Sequence, residues 1–216
     1  MTDPHHRLKT PRAAALAGVL FALLFGTVIV LIRVRMPEGI KDSASWINNS
    51  QNGIHAAAVL MPFAGITFLW FIGVVRDGFG RYEDRFFASV FLGSGILFLA
   101  MMFVAVAVAA GLVAANADVV DVTAHAEVVN FGKMIVLTAT KTYALRMAAV
   151  FMISAATIWL RTGLMPKWLA FLSYLVALAL LAASDISMWV TMAFPAWVLV
   201  VSGLFLVRAG VFEERR

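Results

Sequence analysis

The sequence predicts an all-α integral membrane protein, a six-transmembrane-helix bundle with both termini in the cytoplasm. Hydrophobic residues make up 62% of the 216 residues and charged residues 13%, whereas soluble proteins average about half apolar and a quarter charged. The mean hydropathy is +0.92. Six spans of about 20 residues occupy roughly 120 positions, so no separate soluble domain fits. This arithmetic disfavours a cytosolic enzyme, a DNA-binding domain and a disulfide-stabilised secreted domain.

Apolar runs define six spans within a single transmembrane domain over residues 13–208. In chain order the spans cover residues 13–34, 54–75, 86–115, 131–160, 167–184 and 186–207. The first run is longer than a signal-peptide core and lacks a small-residue cleavage site, so we interpret it as an uncleaved anchor. The third and fourth runs have about 30 residues, or about 45 Å of helix. We expect them to project outward beyond a hydrocarbon core of about 30 Å.

Basic residues predict the orientation of the spans, because Lys and Arg gather on the cytoplasmic side of membrane proteins. With tails 1–12 and 209–216 inside, eleven of the 17 basic residues are cytoplasmic. They are Arg7, Lys9, Arg12, Arg76, Arg81, Arg85, Arg161, Lys167, Arg208, Arg215 and Arg216. The net charge of +5 is therefore mainly a topology signal, and no nucleic-acid partner is predicted. The chain has no cysteine, which excludes disulfides and thiolate metal ligands.

A pattern of residues spread over about two thirds of the chain resembles a known family. PFAGITFLWFIGVVRD at 62–77 is followed by Gly80, EDRFF at 83–87 and FLGSG at 91–95, and later by RMAAVF at 146–151, RTG at 161–163, Pro166 and Trp168. In these positions the chain resembles a family of conserved membrane proteins from actinobacteria. The resemblance implies a bacterial plasma membrane and a shared architecture. It supplies no activity, ligand or catalytic residue.

The turn between the second and third spans is a candidate site on the cytoplasmic side. Its matched charges are Arg76, Asp77, Arg81, Glu83, Asp84 and Arg85. A topology signal needs only the basic residues, so the added acids predict a turn folded by its own ion pairs. Glu83 and Asp84 also fall at the start of a helix, where the helix dipole favours anions. The alternative is a docking surface for a cytoplasmic partner or a lipid headgroup.

Polar residues in the fourth span form the second candidate site. Thr138, Thr142 and Arg146 follow one another at intervals of four, which places them on one helix face, with Lys141 beside them. Lipid offers such a face no partner, so we expect it to face protein or water inside the bundle. One interpretation is a buried ion pair between Arg146 and Asp185, the only acid between residues 127 and 213. The other is an outward-facing pocket for an anion or a lipid headgroup.

Motifs of enzymes are not evident in the sequence, which lacks HExxH, GxSxG and P-loop patterns. We therefore predict no catalytic residue, cofactor or metal site. The predicted function is that of a non-enzymatic accessory or scaffold subunit, or of a lipid-associated subunit. Its predicted partners are membrane lipids, with another membrane protein or a homodimer as further candidates. The alternative is a transporter or binding protein for a small anionic or amphipathic ligand, using the polar face of the fourth helix.

Overall fold

Helices form nearly all of the part of the chain that the computed structural model describes, which is residues 10–36, 46–77, 85–115, 122–183 and 188–211. The helices are α1 Thr10–Arg35, α2 Trp46–Asp77, α3 Arg85–Ala114, α4 Val122–Leu137, α5 Leu145–Thr162, α6 Lys167–Ala183 and α7 Ala193–Val211. A π-helical segment, Thr138–Ala144, joins α4 to α5, and a 3-10 turn, Met188–Met192, leads into α7. No strand occurs within these ranges. The all-α prediction is confirmed.

Five helical stretches are long and apolar enough to cross a membrane. They are Ala15–Arg35, Gln51–Arg76, Phe86–Ala114, His125–Thr162 and Trp189–Val207. A sixth, Lys167–Ala182, is apolar but shorter. The 17 residues of α6 reach about 25 Å, slightly less than the hydrocarbon thickness. In general, a span shorter than the hydrocarbon core is accommodated by thinning of the bilayer at modest cost.

The fourth span differs in length and regularity from the single helix predicted over residues 131–160. Helical structure begins at Val122 and runs without interruption to Thr162, with the π-helical segment in its middle. We call this continuous element, residues 122–162, the long helix. At about 60 Å it is roughly twice the thickness of the hydrocarbon core. The 30-residue α3 is about 45 Å long, so both elements have the excess length that the sequence predicts.

The helices pack in an order that differs from their order in the chain. α1 lies along α2 and α7, α2 packs on α3, and α3 packs on every part of the long helix. α6 packs mainly on α5 and touches α7 only slightly. When each helix is followed by the helix packed beside it, the spatial order is therefore α7, α1, α2, α3, α5 and α6.

Two cation–π contacts identify the two ends of the bundle. The Arg33 guanidinium lies over the Trp189 ring, 5.3 Å from its centroid, so α1 ends where α7 begins. The Arg161 guanidinium lies 4.8 Å from the centroid of Phe87, so α5 ends where α3 begins. We call these the Arg33 end and the Arg161 end. The start of α2 belongs to the Arg33 end, because Gly53 lies against the Arg35 side chain.

Aromatic rings fill the centre of the bundle. Phe68 of α2 meets Phe21 of α1 at 4.5 Å between ring centroids, Phe98 of α3 at 5.5 Å, Phe151 of α5 at 5.4 Å and Phe194 of α7 at 5.8 Å. All five side chains are fully buried. Ring pairs at these separations gain attraction beyond their area burial. These five rings thus form one cluster that joins α1, α2, α3, α5 and α7.

Gly163 sets the geometry of the reversal between α5 and α6. Its φ of 67° is in the left-handed region, and its N–H donates to the Trp159 carbonyl at 2.9 Å. Glycine adopts this conformation without the steric cost that a Cβ imposes. Pro166 then precedes the first residue of α6. The RTG motif at 161–163 is therefore a helix stop.

Candidate functional site

The polar middle of the long helix forms the π-helical segment, with the sequence TATKTYA. The Leu145 N–H donates to the Thr140 carbonyl five residues earlier, instead of the four of an α-helix. The Thr140 hydroxyl donates to the Val136 carbonyl at 2.7 Å. Side-chain bonds of this kind compete with the backbone ladder, and π-helical turns are common where function requires an irregular helix. The extra residue in this turn rotates the helix faces that follow it relative to the helix faces that precede it.

The burial of the polar side chains differs from the predicted inward face. Thr138 is exposed, and Thr142 and Arg146 are half-buried, so the predicted polar face lies toward the periphery of the bundle and not toward its interior. Among the described side chains of the long helix, the buried polar ones are Lys133, Thr140 and Ser154, at 5%, 6% and 2% exposure. The expectation of an inward face assumed 100° per residue throughout, which a π-helical segment does not follow.

Burial of Lys133 has a signal in the sequence that the search for polar faces missed. Val129, Gly132 and Val136 lie on the same helix face at intervals of three and four, and all three are buried. Their spacing predicts that face as the inward one. Lys133 follows Val129 by four residues, so its side chain is buried on the same face. A Cβ on Gly132 would lie 2.6 Å from Leu112, which shows how closely this face approaches α3.

Arg146 turns back along its own helix. Its Nη1 donates to the Thr142 carbonyl at 3.0 Å. The bond carries the guanidinium from the level of residue 146 toward that of residue 142, in the direction of the Arg33 end. An arginine near a membrane boundary gains by bringing its charge toward water in this way while its stem stays in apolar surroundings.

Arg146 and Thr142 also line a groove between the long helix and α3. The groove encloses about 390 Å³, and its other lining residues are Leu97, Met101, Tyr143 and Met147. Thr138 lines a neighbouring groove that shares Met101 and Tyr143 with the first. Thr138, Thr142 and Arg146 therefore lie along two adjoining grooves on the outside of the bundle. Lys141 is half-buried and is not part of the lining of either groove.

The partner predicted for Arg146 and most of the charged turn lie outside the described residues. Asp185 falls in the gap at 184–187, and Arg81, Glu83 and Asp84 fall in the gap at 78–84. Arg76 is exposed near the end of α2, Asp77 is the last residue of that helix, and Arg85 is the first of α3. The charged segment thus falls between the end of α2 at Asp77 and the start of α3 at Arg85. Its internal ion pairs and the Arg146–Asp185 pair stay predictions.

Several polar groups elsewhere in the bundle bond one another. The Trp197 Nε1–H donates to Ser173 Oγ at 2.8 Å, and that hydroxyl donates to the Leu169 carbonyl at 2.7 Å. The Thr157 and Tyr174 hydroxyls lie 2.7 Å apart. These bonds satisfy polar atoms between α5, α6 and α7. Within the described ranges no three His, Cys, Asp or Glu side chains come together as metal ligands.

Comparison with protein-family models, curated proteins and solved structures finds no match to this chain. Its function therefore has to be inferred from its own geometry.

Proposed function

We propose that the chain is a six-span protein of a bacterial plasma membrane that acts through packing, as a non-enzymatic accessory or scaffold subunit or in association with lipid. The observation that carries this proposal is the ring cluster around Phe68, which joins five helices across the centre of the bundle. Transport sites are built from polar groups and irregular backbone at this depth. A centre packed with rings suits a rigid structural element.

The helix ends and their charges support an orientation for this proposal. α1 ends and α7 begins at the Arg33 end, so the start of α1 and the end of α7 belong to the Arg161 end. Arg76 and Lys167 also lie at helix ends on that side. Because positive charge favours the cytoplasm, the Arg161 end is the cytoplasmic one in this proposal.

A second candidate function is ligand binding by the polar face of the fourth span. The observation that favours it is the groove lined by Thr142 and Arg146. The surface of this groove is almost entirely apolar and suits the apolar part of a small amphipathic ligand, with Arg146 among the lining residues. The groove lies at the periphery of the bundle and the centre is filled with rings, so binding fits this geometry better than transport.

Chemical crosslinking in intact membranes, followed by mild extraction, affinity purification and mass spectrometry, tests the accessory role. We expect one membrane protein to be recovered in fixed stoichiometry with the chain, either a different protein or a second copy. The same complex should form without crosslinker in a mild detergent. A chain that migrates as a monomer in both preparations would contradict the accessory or scaffold role.

A further inference from the structure

We propose that the π-helical segment, Thr138–Ala144, is a conformational device that keeps the two α-helical halves of the long helix in register with one neighbour. Between α4 and α5 the chain contains one residue more than a continuous α-helix needs, and the segment absorbs that residue. Both halves can then turn the same side toward α3. Neither of the proposed functions depends on this device.

Two contacts show which side of each half faces α3. In α4, a Cβ on Gly132 would lie 2.6 Å from Leu112 of α3, and its three nearest atoms all belong to that side chain. In α5, the Phe151 ring stacks on Phe91 of α3 at 4.2 Å between centroids. A Cβ on Gly95, also in α3, would lie 3.1 Å from the Phe151 ring. Gly132 and Phe151 therefore both face α3.

The spacing of these two residues does not fit a continuous α-helix. Phe151 follows Gly132 by nineteen residues. An α-helix turns by about 100° per residue, so over this distance it turns about 100° beyond five full turns. Eighteen residues would complete the five turns, and the excess is thus one residue. It is absorbed where the Leu145 N–H donates to the carbonyl of Thr140, five residues earlier.

A continuous α-helix would place a side chain where α3 leaves no room for one. With α5 held in place, the residue that faces Leu112 would be the one eighteen positions before Phe151, which is Lys133. Even a Cβ at that place would overlap the Leu112 side chain, and overpacking of this kind forces neighbouring atoms to move. The π-turn therefore has a steric reason, because it brings Gly132 and not Lys133 to the closest approach with α3.

The segment lies where the long helix leaves the hydrocarbon core in the proposed orientation. Ala144 and Thr138 precede Arg161 by 17 and 23 residues, or about 26 and 35 Å along the helix axis. With Arg161 at the cytoplasmic boundary, this range includes the opposite boundary of a core of about 30 Å. The device thus joins the membrane-embedded half of the long helix to the half that projects beyond the membrane.

Removal of one residue from the segment tests the device. Tyr143 is 55% exposed and lies between Thr140 and Leu145, so its deletion restores the spacing of eighteen residues with little loss of packing. We expect a continuous α-helix and a melting temperature in bicelles equal to or above that of the unaltered protein. Deletion of Thr142 should give the same result, because any residue between Thr140 and Leu145 can be the one in excess.

Deletion of Ile153 is the control, because Ile153 lies in the regular α-helix of α5. The buried residues between the segment and position 153, including Phe151, would then lose their contacts. The melting temperature should fall by about 10 °C, or the protein should fail to fold. Ile153→Ala measures the share of this loss that is due to the side chain alone. Losses in the Tyr143 and Thr142 deletions as large as the loss in the Ile153 deletion would overturn the proposal.

Cysteine labelling of the purified protein reports the direction of the α4 face. Val136 is fully buried and Phe131 is 70% exposed, so a maleimide should label Phe131→Cys and leave Val136→Cys unmodified. The same pattern is expected when Tyr143 is deleted, because the device only absorbs the excess residue. Labelling of Val136→Cys in the deletion background would show that α4 has rotated away from α3, which contradicts the proposal.

Discussion

At the residue scale, Trp197 shows how this bundle accommodates a polar atom in its core. The ring stacks on Trp159 at 5.8 Å and on Phe194 at 6.1 Å between centroids. Its only polar atom, Nε1, donates to Ser173 Oγ, which itself donates to the Leu169 carbonyl. Both polar groups are thus satisfied where lipid and ring surfaces would offer them no partner.

Replacing Trp197 by Phe should therefore destabilise the protein by about 1 kcal/mol, because the Ser173 hydroxyl loses its donor and ring contacts are lost. Thermal unfolding in detergent or bicelles measures the change. Trp168→Phe is the control, since Trp168 is 54% exposed, and it should leave the melting temperature unaltered. Equal effects of the two substitutions would show that the hydrogen bond contributes nothing measurable.

The basic residues of the fourth span show what the sequence predicts at this scale and what it does not. Spacing predicts that Thr142 and Arg146 lie close together, and the structure places both on one groove. The spacing of Val129, Gly132 and Val136 also predicts that Lys133 is buried. The direction of the face that carries Arg146 is not predicted, because seven residues rich in threonine have no periodicity that distinguishes π-helix from α-helix.

At the element scale, the contact between α1 and α7 depends on a glycine. A Cβ at Gly18 would overlap the Ser202 hydroxyl and lie 2.7 Å from the Phe71 ring. Among the described residues, Ser202 Oγ is buried without a hydrogen-bond partner. Small residues at such a position let two helices approach closely in a membrane, where packing drives association.

Gly18→Ala should destabilise the bundle by about 2 kcal/mol through overpacking, even though alanine favours helix more than glycine does. Gly26→Ala is a matched control in the same helix, because its Cβ would lie 3.8 Å from Met192 Cε, an ordinary contact. We expect that control to be neutral or slightly stabilising. Unfolding by denaturant in bicelles gives both values.

Ser202→Ala provides an independent check on this contact. It removes a hydroxyl that makes no hydrogen bond within the described structure, so alone it should leave stability unchanged or raise it. Combined with Gly18→Ala it should recover part of the lost stability, because the overlap with the hydroxyl disappears. Strictly additive effects in the double variant would contradict the described geometry.

Helix boundaries are the part of the fold that the sequence predicts well. Charged and glycine-containing segments at 78–84 and 163–166 separate apolar runs, and helices end and begin there. The start of the long helix at Val122 is not predicted, because residues 122–130 combine Glu127, His125 and Asn130 with apolar neighbours and lack the continuous hydrophobicity of a span. Only the structure shows that this segment is helical and that α4, to which it belongs, packs on α3.

At the scale of the whole molecule, the sequence predicts how many helices there are better than it predicts which helices pack against each other. Phe68 is fully buried, whereas Trp70, two residues later, is 63% exposed. Lipid tails are as apolar as the protein core, so hydrophobicity does not mark the inward face of a membrane helix. The order α7, α1, α2, α3, α5, α6 and the ring cluster around Phe68 therefore emerge only from the structure.

Six crossings with both chain ends on the cytoplasmic side are the central claim, and the short α6 is the crossing most open to challenge. Since the chain has no cysteine, single cysteines placed at Gln51, Gly78, Leu164 and Ser184 report the side of four of the five connections between the spans. An impermeant maleimide applied to intact cells should label Gln51→Cys and Ser184→Cys, whereas Gly78→Cys and Leu164→Cys should react only after permeabilisation. Protection of both Leu164→Cys and Ser184→Cys would show that α6 does not cross, and labelling of Gly78→Cys with protection of Gln51→Cys would reverse the orientation.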